Sequence, residues 1–177
     1  PSGIPVHLQL LGSDPTALAA NARQALKLGA VSVDLNFGCP AKLVNRHDGG
    51  ASLLRQPDRV YQAVKAVSEA LEGEIPVTAK IRLGLANRRL AEGYRPPAHW
   101  EWIGKIRRHV SIPVVANGDI WTLEDYWKAR TLSGCCDVML GRSALADPWL
   151  APRIRHWQLT GERLPESSWA MRASVLK

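Results

Sequence analysis

Apolar and polar positions alternate along this chain in a repeating rhythm of short strands and longer helices. Val6, Leu8 and Leu10 share one face with His7 and Gln9 opposite, the period-two pattern of a half-buried strand over residues 6–11. Asp14-Pro15 then supplies a cap and a proline at the first helical position, and Gly29 closes a helix running to about Leu28. Val33, Leu35 and Phe37 alternate with Asp34 and Asn36 in a second strand, 31–37. Gly38-Cys39-Pro40 stops that strand abruptly, and a glycine-rich loop, Asp48-Gly49-Gly50, follows. Pro57-Asp58 opens a helix with Val60, Val64, Val67 and Leu71 on one stripe. The third strand is 76–82, where Val77, Ala79 and Ile81 oppose Thr78, Lys80 and Arg82.

An irregular basic stretch, 85–98, precedes a helix over about 99–110 that turns Trp100, Ile103 and Ile106 inward. The fourth strand is 113–117, and Thr122 caps a helix that stops near Gly134. Residues 137–140 form the fifth strand, 143–157 a helix or helix pair, and Pro165 begins another helix. Strands separated by helices, without hairpin signals, mean parallel pairing and right-handed crossovers. A doubly wound sheet buries both faces of its strands, whereas these strands turn one polar face toward their carboxyl ends. The expectation is an α/β fold, a partial TIM (β/α)8-type barrel of about five parallel strands. Residues 1–160 form the barrel domain and 161–177 the start of a carboxyl-terminal helical region.

The chain has 177 residues and a formal net charge of +7, which suits a polyanionic partner without demonstrating one. It starts at Pro1 and stops inside a helical pattern, and so reads as a piece of a longer protein. Cys39 and the adjacent pair Cys135-Cys136 offer neither a disulfide framework nor a CxxC metal spacing. The five histidines form no ligand pair at helical spacing, so no metal is expected. No signal peptide or membrane-length apolar run is visible, and the chain reads as soluble and cytoplasmic. The seven tryptophans sit mostly at helical spacing among aliphatics and are expected to pack rather than to stack on bases. The basic stretch 88–95 reads as a solvated loop more readily than as an RNA contact.

The strand ends gather the chemistry: Gln9, Asn36, Cys39, Lys80, Arg82, Asn117-Gly118-Asp119 and Gly141-Arg142-Ser143. Glycines after the last two strands let backbone N–H groups approach a phosphate, although each is also an ordinary turn residue. An inward lysine must find an anion, a ligand or water, and an ion pair with Asp34 would satisfy it as well as a ligand would. Cys39 is either a small gap-filler or a thiol displayed beside the polar ends.

Four motifs resemble those of the tRNA-dihydrouridine synthases, in that family's order: residues 36–40, NFGCP; 76–84, PVTAKIRLG; 116–120, ANGDI; and 139–142, MLGR. Gln9-Leu10-Leu11-Gly12, Asp48-Gly49-Gly50, and Glu92-Gly93-Tyr94 before His99-Trp100 look most like the branch acting at tRNA position 16. The resemblance implies an FMN enzyme, using NADPH as reductant, that reduces uridine in tRNA to 5,6-dihydrouridine. It further implies that Gln9 and Lys80 contact the flavin ring, and that Asn117, Gly118, Asp119, Gly141 and Arg142 line its ribityl-phosphate end. Asn36 and Arg82 would hold the target uridine. Hydride would pass from flavin N5 to uracil C6, and Cys39 would give the proton, as a thiol still protonated at neutral pH can. The partner implied is tRNA, with no membrane and no protein partner.

The chain departs from the family pattern in length and at one internal point. Residues 85–91 bridge an interval where the family carries a further helix, a strand and a histidine-x-arginine motif, and no residue here matches that histidine. Two other readings remain at this stage. One is a Schiff-base TIM-barrel enzyme acting on a sugar phosphate through Lys80. The other is a non-catalytic RNA-binding remnant.

Overall fold

The computed structural model of the chain describes residue 5 and residues 7–82 and 96–175. It divides into two compact units, Pro1–Tyr94 and Arg95–Lys177. Val6 of the first strand, Leu83-Gly84, the basic stretch as far as residue 95 and the last two residues lie outside the described part.

In the first unit, β1 (Leu8–Leu10), β2 (Val33–Phe37) and β3 (Val77–Ile81) form one parallel sheet in that order. Helix α1 (Pro15–Lys27) is capped by Asp14, whose carboxylate accepts from the Ala17 amide at 2.7 Å. Helix α3 (Pro57–Leu71) packs beside it. Together they cover the apolar face of β2, where Val33, Leu35 and Phe37 are almost fully buried among Leu18, Ala22, Val67 and Leu71. Each such side chain contributes roughly 1.5–3 kcal/mol, so this face fixes the strand register. Asp34 and Asn36 therefore point the other way.

Strand β3 departs from expectation. Val77 packs against the core, but Ile81 is 49% exposed and Ala79 is also exposed. Among the described residues β3 is the last strand of its sheet, and of its apolar side chains only Val77 packs against the core. Two short elements also occupy the stretch read as a plain loop: α2 (Lys42–Arg46) and a 3-10 helix, Gly50–Arg55. Elements of about five residues are too short to show a period.

In the second unit, β4 (Ala116–Asn117) pairs in parallel with β5 (Val138–Met139). Helix α4 (Trp100–Arg107) turns Trp100 and Ile103 inward, as its pattern predicts. Helix α5 (Leu123–Ser133) opens on a full capping box, Thr122 with Asp125, and ends at Gly134 in the left-handed region, φ +66°. The two helices meet at Gly104, where an added Cβ would stand 2.7 Å from the Leu132 carbonyl oxygen. Gly104→Ala should cost about 1–3 kcal/mol by forcing them apart. Thermal unfolding checks this, and an unchanged midpoint would mean that the helices do not approach so closely.

Helices α6 (Arg142–Ala146) and α7 (Leu150–Thr160) realise the expected helix pair, and Gly161 terminates the second. Helix α8 (Trp169–Ser174) starts four residues later than the proline signal suggests, capped by Ser168. The delay has a cause. Ser167 is buried and donates to Asp147 at 2.7 Å, while Arg153 donates to both Ser167 and Asp147, at 3.0 and 2.6 Å. Arg172 of α8 joins the same carboxylate at 3.5 Å.

The tryptophans divide. Trp100 is buried and Trp127 meets Trp157 edge-on, but Trp102, Trp121, Trp149 and Trp169 are exposed, against the packing expectation. Two of the four lie within reach of cations: Lys105 sits 3.9 Å from the Trp102 ring and Arg142 5.5 Å from that of Trp121. Among the described residues no helix is long and apolar enough to cross a membrane.

Candidate active site

Polar side chains project in a row from the face of the first sheet opposite its core. Gln9 lies in register with Asp34, and Asp34 with Thr78; Asn36 lies in register with Lys80. Thr78 donates to Asp34 at 2.6 Å and the Gln9 amide donates to its other oxygen, so the Asp34 carboxylate ties β1 to β3 across β2. The Asn36 amide in turn donates to the Gln9 carbonyl at 2.8 Å. Gln9, Asn36 and Lys80 thus form one face, set by the two-residue period of the strands.

The loop after β2 is held from three directions. The Gly38 amide donates to the Asn36 side chain at 2.9 Å, Arg82 Nε donates to the Gly38 carbonyl at 3.2 Å, and the Ala51 amide donates to the Cys39 carbonyl at 2.9 Å. Cys39 is a free, half-buried thiol two residues past the end of β2. Asn36 and Arg82, expected as substrate contacts, therefore also set the backbone that carries the thiol.

Gly50 completes the mount, and only the adjacent glycines hinted at it in the sequence. Its φ is +58°, and a Cβ there would stand 2.7 Å from the Cys39 carbonyl oxygen. Gly50→Ala combines about 1–2 kcal/mol of backbone strain with that clash. The expected result is a displaced Cys39 with the unit still folded. An altered rate of Cys39 alkylation, alongside a retained circular dichroism spectrum, is the measurement; an unaltered rate would refute the close packing.

The second unit brings its own predicted residues together. Asn117 ends β4, and Gly118 follows at φ +117°, where a Cβ would stand 2.9 Å from that of Ala98. Trp100 Nε1 donates to the Gly118 carbonyl at 2.8 Å. Asp119, at φ +48°, accepts from the Ala98 amide at 3.0 Å and lies 3.8 Å from the Arg142 guanidinium. Gly141 has open space where a side chain would be, and the Arg142 side chain is 70% exposed. Ala98 and Trp100 are positioning residues that the sequence did not signal, because their roles are contacts across the chain. Among the described residues no group of His, Cys, Asp and Glu side chains could hold a metal ion.

Each unit by itself carries donors of a kind that one part of a flavin nucleotide could meet. Amide and ammonium groups on one strand face match a ring edge rich in carbonyl oxygens and nitrogens. An exposed arginine beside a glycine with open space matches a phosphate.

Comparisons with known proteins identify the family. A family profile described as dihydrouridine synthase matches residues 2–92 and 85–176. A tRNA-dihydrouridine(16) synthase of Ralstonia nicotianae is 49% identical over 87% of this chain and 54% of its own length. That of Neisseria meningitidis serogroup A is 48% identical over 90% and 55%. The one from Pseudomonas syringae pv. tomato is 45% identical over 99% of this chain and 62% of its own length. The chain thus spans little more than half the length of the curated relatives it matches. The Pseudomonas alignment runs over 199 positions against 177 residues, so gaps in this chain account for at least the difference. The two profile matches overlap at 85–92, the interval in which the sequence is expected to depart from the family pattern.

A mandelate racemase/muconate lactonizing enzyme from Labrenzia alexandrii DFL-11 shares the fold, with a TM-score of 0.61 over 86% of this chain and 44% of its own, at 16% identity. The fold class is α/β, part of a (β/α)8-type barrel. The chain belongs to the dihydrouridine synthase family, and its relatives place it in the tRNA-dihydrouridine(16) synthase branch.

Proposed function

We propose that this chain carries the catalytic part of an FMN-dependent, NADPH-consuming enzyme that reduces uridine in tRNA to 5,6-dihydrouridine. The observation that supports the reading is the mount of the Cys39 loop: its backbone is tied to Asn36 and Arg82, and Asn36 in turn to Gln9, at the end of a parallel strand. In this reading Gln9 and Lys80 contact the flavin ring, while Asn117, Gly118, Asp119, Gly141 and Arg142 hold its ribityl-phosphate end. Reduced FMN, when bound, supplies the hydride.

The chain's own residues do the rest. The target base must leave its stack to reach a pocket, at roughly a few kcal/mol, so fixed groups must hold it once extruded. Among the described residues Arg82 donates from Nε to Gly38, and the other donors of its five-donor fork would serve the uracil or its phosphate. Asn36 has both ends of its amide engaged, with Gln9 and with Gly38, and acts more on the loop than on the base. The Cys39 Sγ–H bond breaks as its proton passes to uracil C5, neutralising the negative charge left there. Lys80 places a positive charge on the same face to stabilise the anionic side of the reaction.

The test is incubation of the protein with FMN, NADPH and unmodified tRNA, followed by nucleoside mass spectrometry. A gain of two hydrogens at one uridine is expected. Bound RNA without any such gain would favour the non-catalytic reading.

A further inference from the structure

We propose that the outer face of α2, formed by Lys42, Leu43 and Arg46, is the surface that grips the RNA strand carrying the target uridine. This rests on the tRNA-reducing reading above and adds the residues that would hold the substrate outside the pocket. Helix α2 begins three residues after Cys39, so the intervening chain spans at most about 11 Å. Whatever contacts α2 is therefore next to the thiol.

The inner side of α2 is fixed in place. Asn45 accepts from the Ser52 amide at 3.1 Å, Val44 packs over Gly49 and Gly50, and the Gly49 amide donates to the Val44 carbonyl at 3.1 Å. Ser13 donates to the carbonyl of His47 just beyond, at 3.1 Å. That anchoring leaves the other side in water: Lys42, Leu43 and Arg46 are all exposed, Leu43 at 70%. Among the described residues packing gives no reason for a leucine there.

The charges are also uncommitted. α2 has no acidic residue, and the neighbouring Asp48 pairs with Arg59 at 3.4 Å. Among the described residues no ion pair involves Lys42 or Arg46. The two cations are four residues apart, about 6 Å along the helix and on one side of it, which suits successive phosphates of one strand. An apolar side chain between two phosphate contacts is the pattern of a wedge set against base faces. RNA fits this combination better than an acidic protein, which would leave Leu43 without a purpose.

The test is tRNA binding measured against salt for the unaltered protein and three variants. These are K42Q/R46Q, L43A, and R23Q/K27Q, which removes the same charge from the exposed side of α1. Loss of two phosphate contacts lowers the salt slope by about 1.4–1.8, so the advantage of the unaltered protein over K42Q/R46Q shrinks about tenfold between 50 and 200 mM salt. L43A should weaken binding several-fold at every salt concentration without changing the slope, and R23Q/K27Q should keep the slope. Circular dichroism confirms that each variant folds. The inference is overturned by an unchanged slope in K42Q/R46Q, by an equal loss in R23Q/K27Q, by absence of tRNA binding in the unaltered protein, or by equally effective competition from polyglutamate. Absence of dihydrouridine with every protein would defeat the tRNA-reducing reading instead, and the slopes would still decide the role of α2.

Discussion

Cys39→Ala should lower dihydrouridine formation by about 10²–10⁴-fold, the range general acid catalysis supplies, while leaving flavin and tRNA binding unchanged. The separation follows from the geometry. The loop is held through the carbonyls of Gly38 and Cys39 and the amide of Gly38, none of which the substitution removes. Single-turnover reduction of tRNA, with binding measured in parallel, is the measurement. Full activity in the alanine variant would show that the proton comes from another group. Lost flavin binding would show that the thiol is a structural filler.

Asp147→Ala should cost about 3–5 kcal/mol, because it leaves Arg153 buried without its partner carboxylate. For a chain of this size that is a fall of roughly 10 °C in Tm. The same carboxylate makes stability depend on pH. Burial alone would raise its pKa, but the bonds from Ser167 and Arg153, with the attraction of Arg153, outweigh burial and hold it below the usual aspartate value. A depressed pKa in the folded state means the contribution is complete above the unfolded value, about 3.9, and is lost as pH falls through the folded one. Asp147→Asn should therefore be destabilised at neutral pH and show less further loss in acid. Parallel acid profiles for the two proteins would contradict this assignment.

Much of the fold was legible because local signals and global topology agree. Asp14-Pro15, Thr122 and Gly134 mark helix ends by backbone chemistry that needs no neighbour, and each marks a boundary in the structure. The alternation of Val33, Leu35 and Phe37 with Asp34 and Asn36 likewise fixed which face of β2 would be buried. Ile81 was misjudged because the same alternation cannot tell a central strand from an edge. The start of α8 was misjudged because Ser167 is held by residues 14 and 20 positions back along the chain, a contact invisible in the local pattern.

Of the candidate site, the face on which the strand residues stand was legible in the sequence and the mount of the loop was not. Gln9, Asn36 and Lys80 share the strand face that the two-residue period gives them, and Cys39 follows β2 where the chain breakers place it. That Asn36 and Arg82 would bond to Gly38, or that Gly50 would stand against Cys39, depends on loop paths that composition does not encode. Trp100 and Ala98 beside Gly118 and Asp119 belong to the same class of contact.

The central claim is that the polar face formed by Gln9, Asn36 and Lys80 receives a flavin, and an absorbance titration of the purified protein with FMN tests it most directly. The account predicts a yellow protein whose flavin bands shift on binding, with the shift weakened by Lys80→Met. A colourless protein with unperturbed free FMN, especially one in which borohydride traps a sugar phosphate on Lys80, would contradict it.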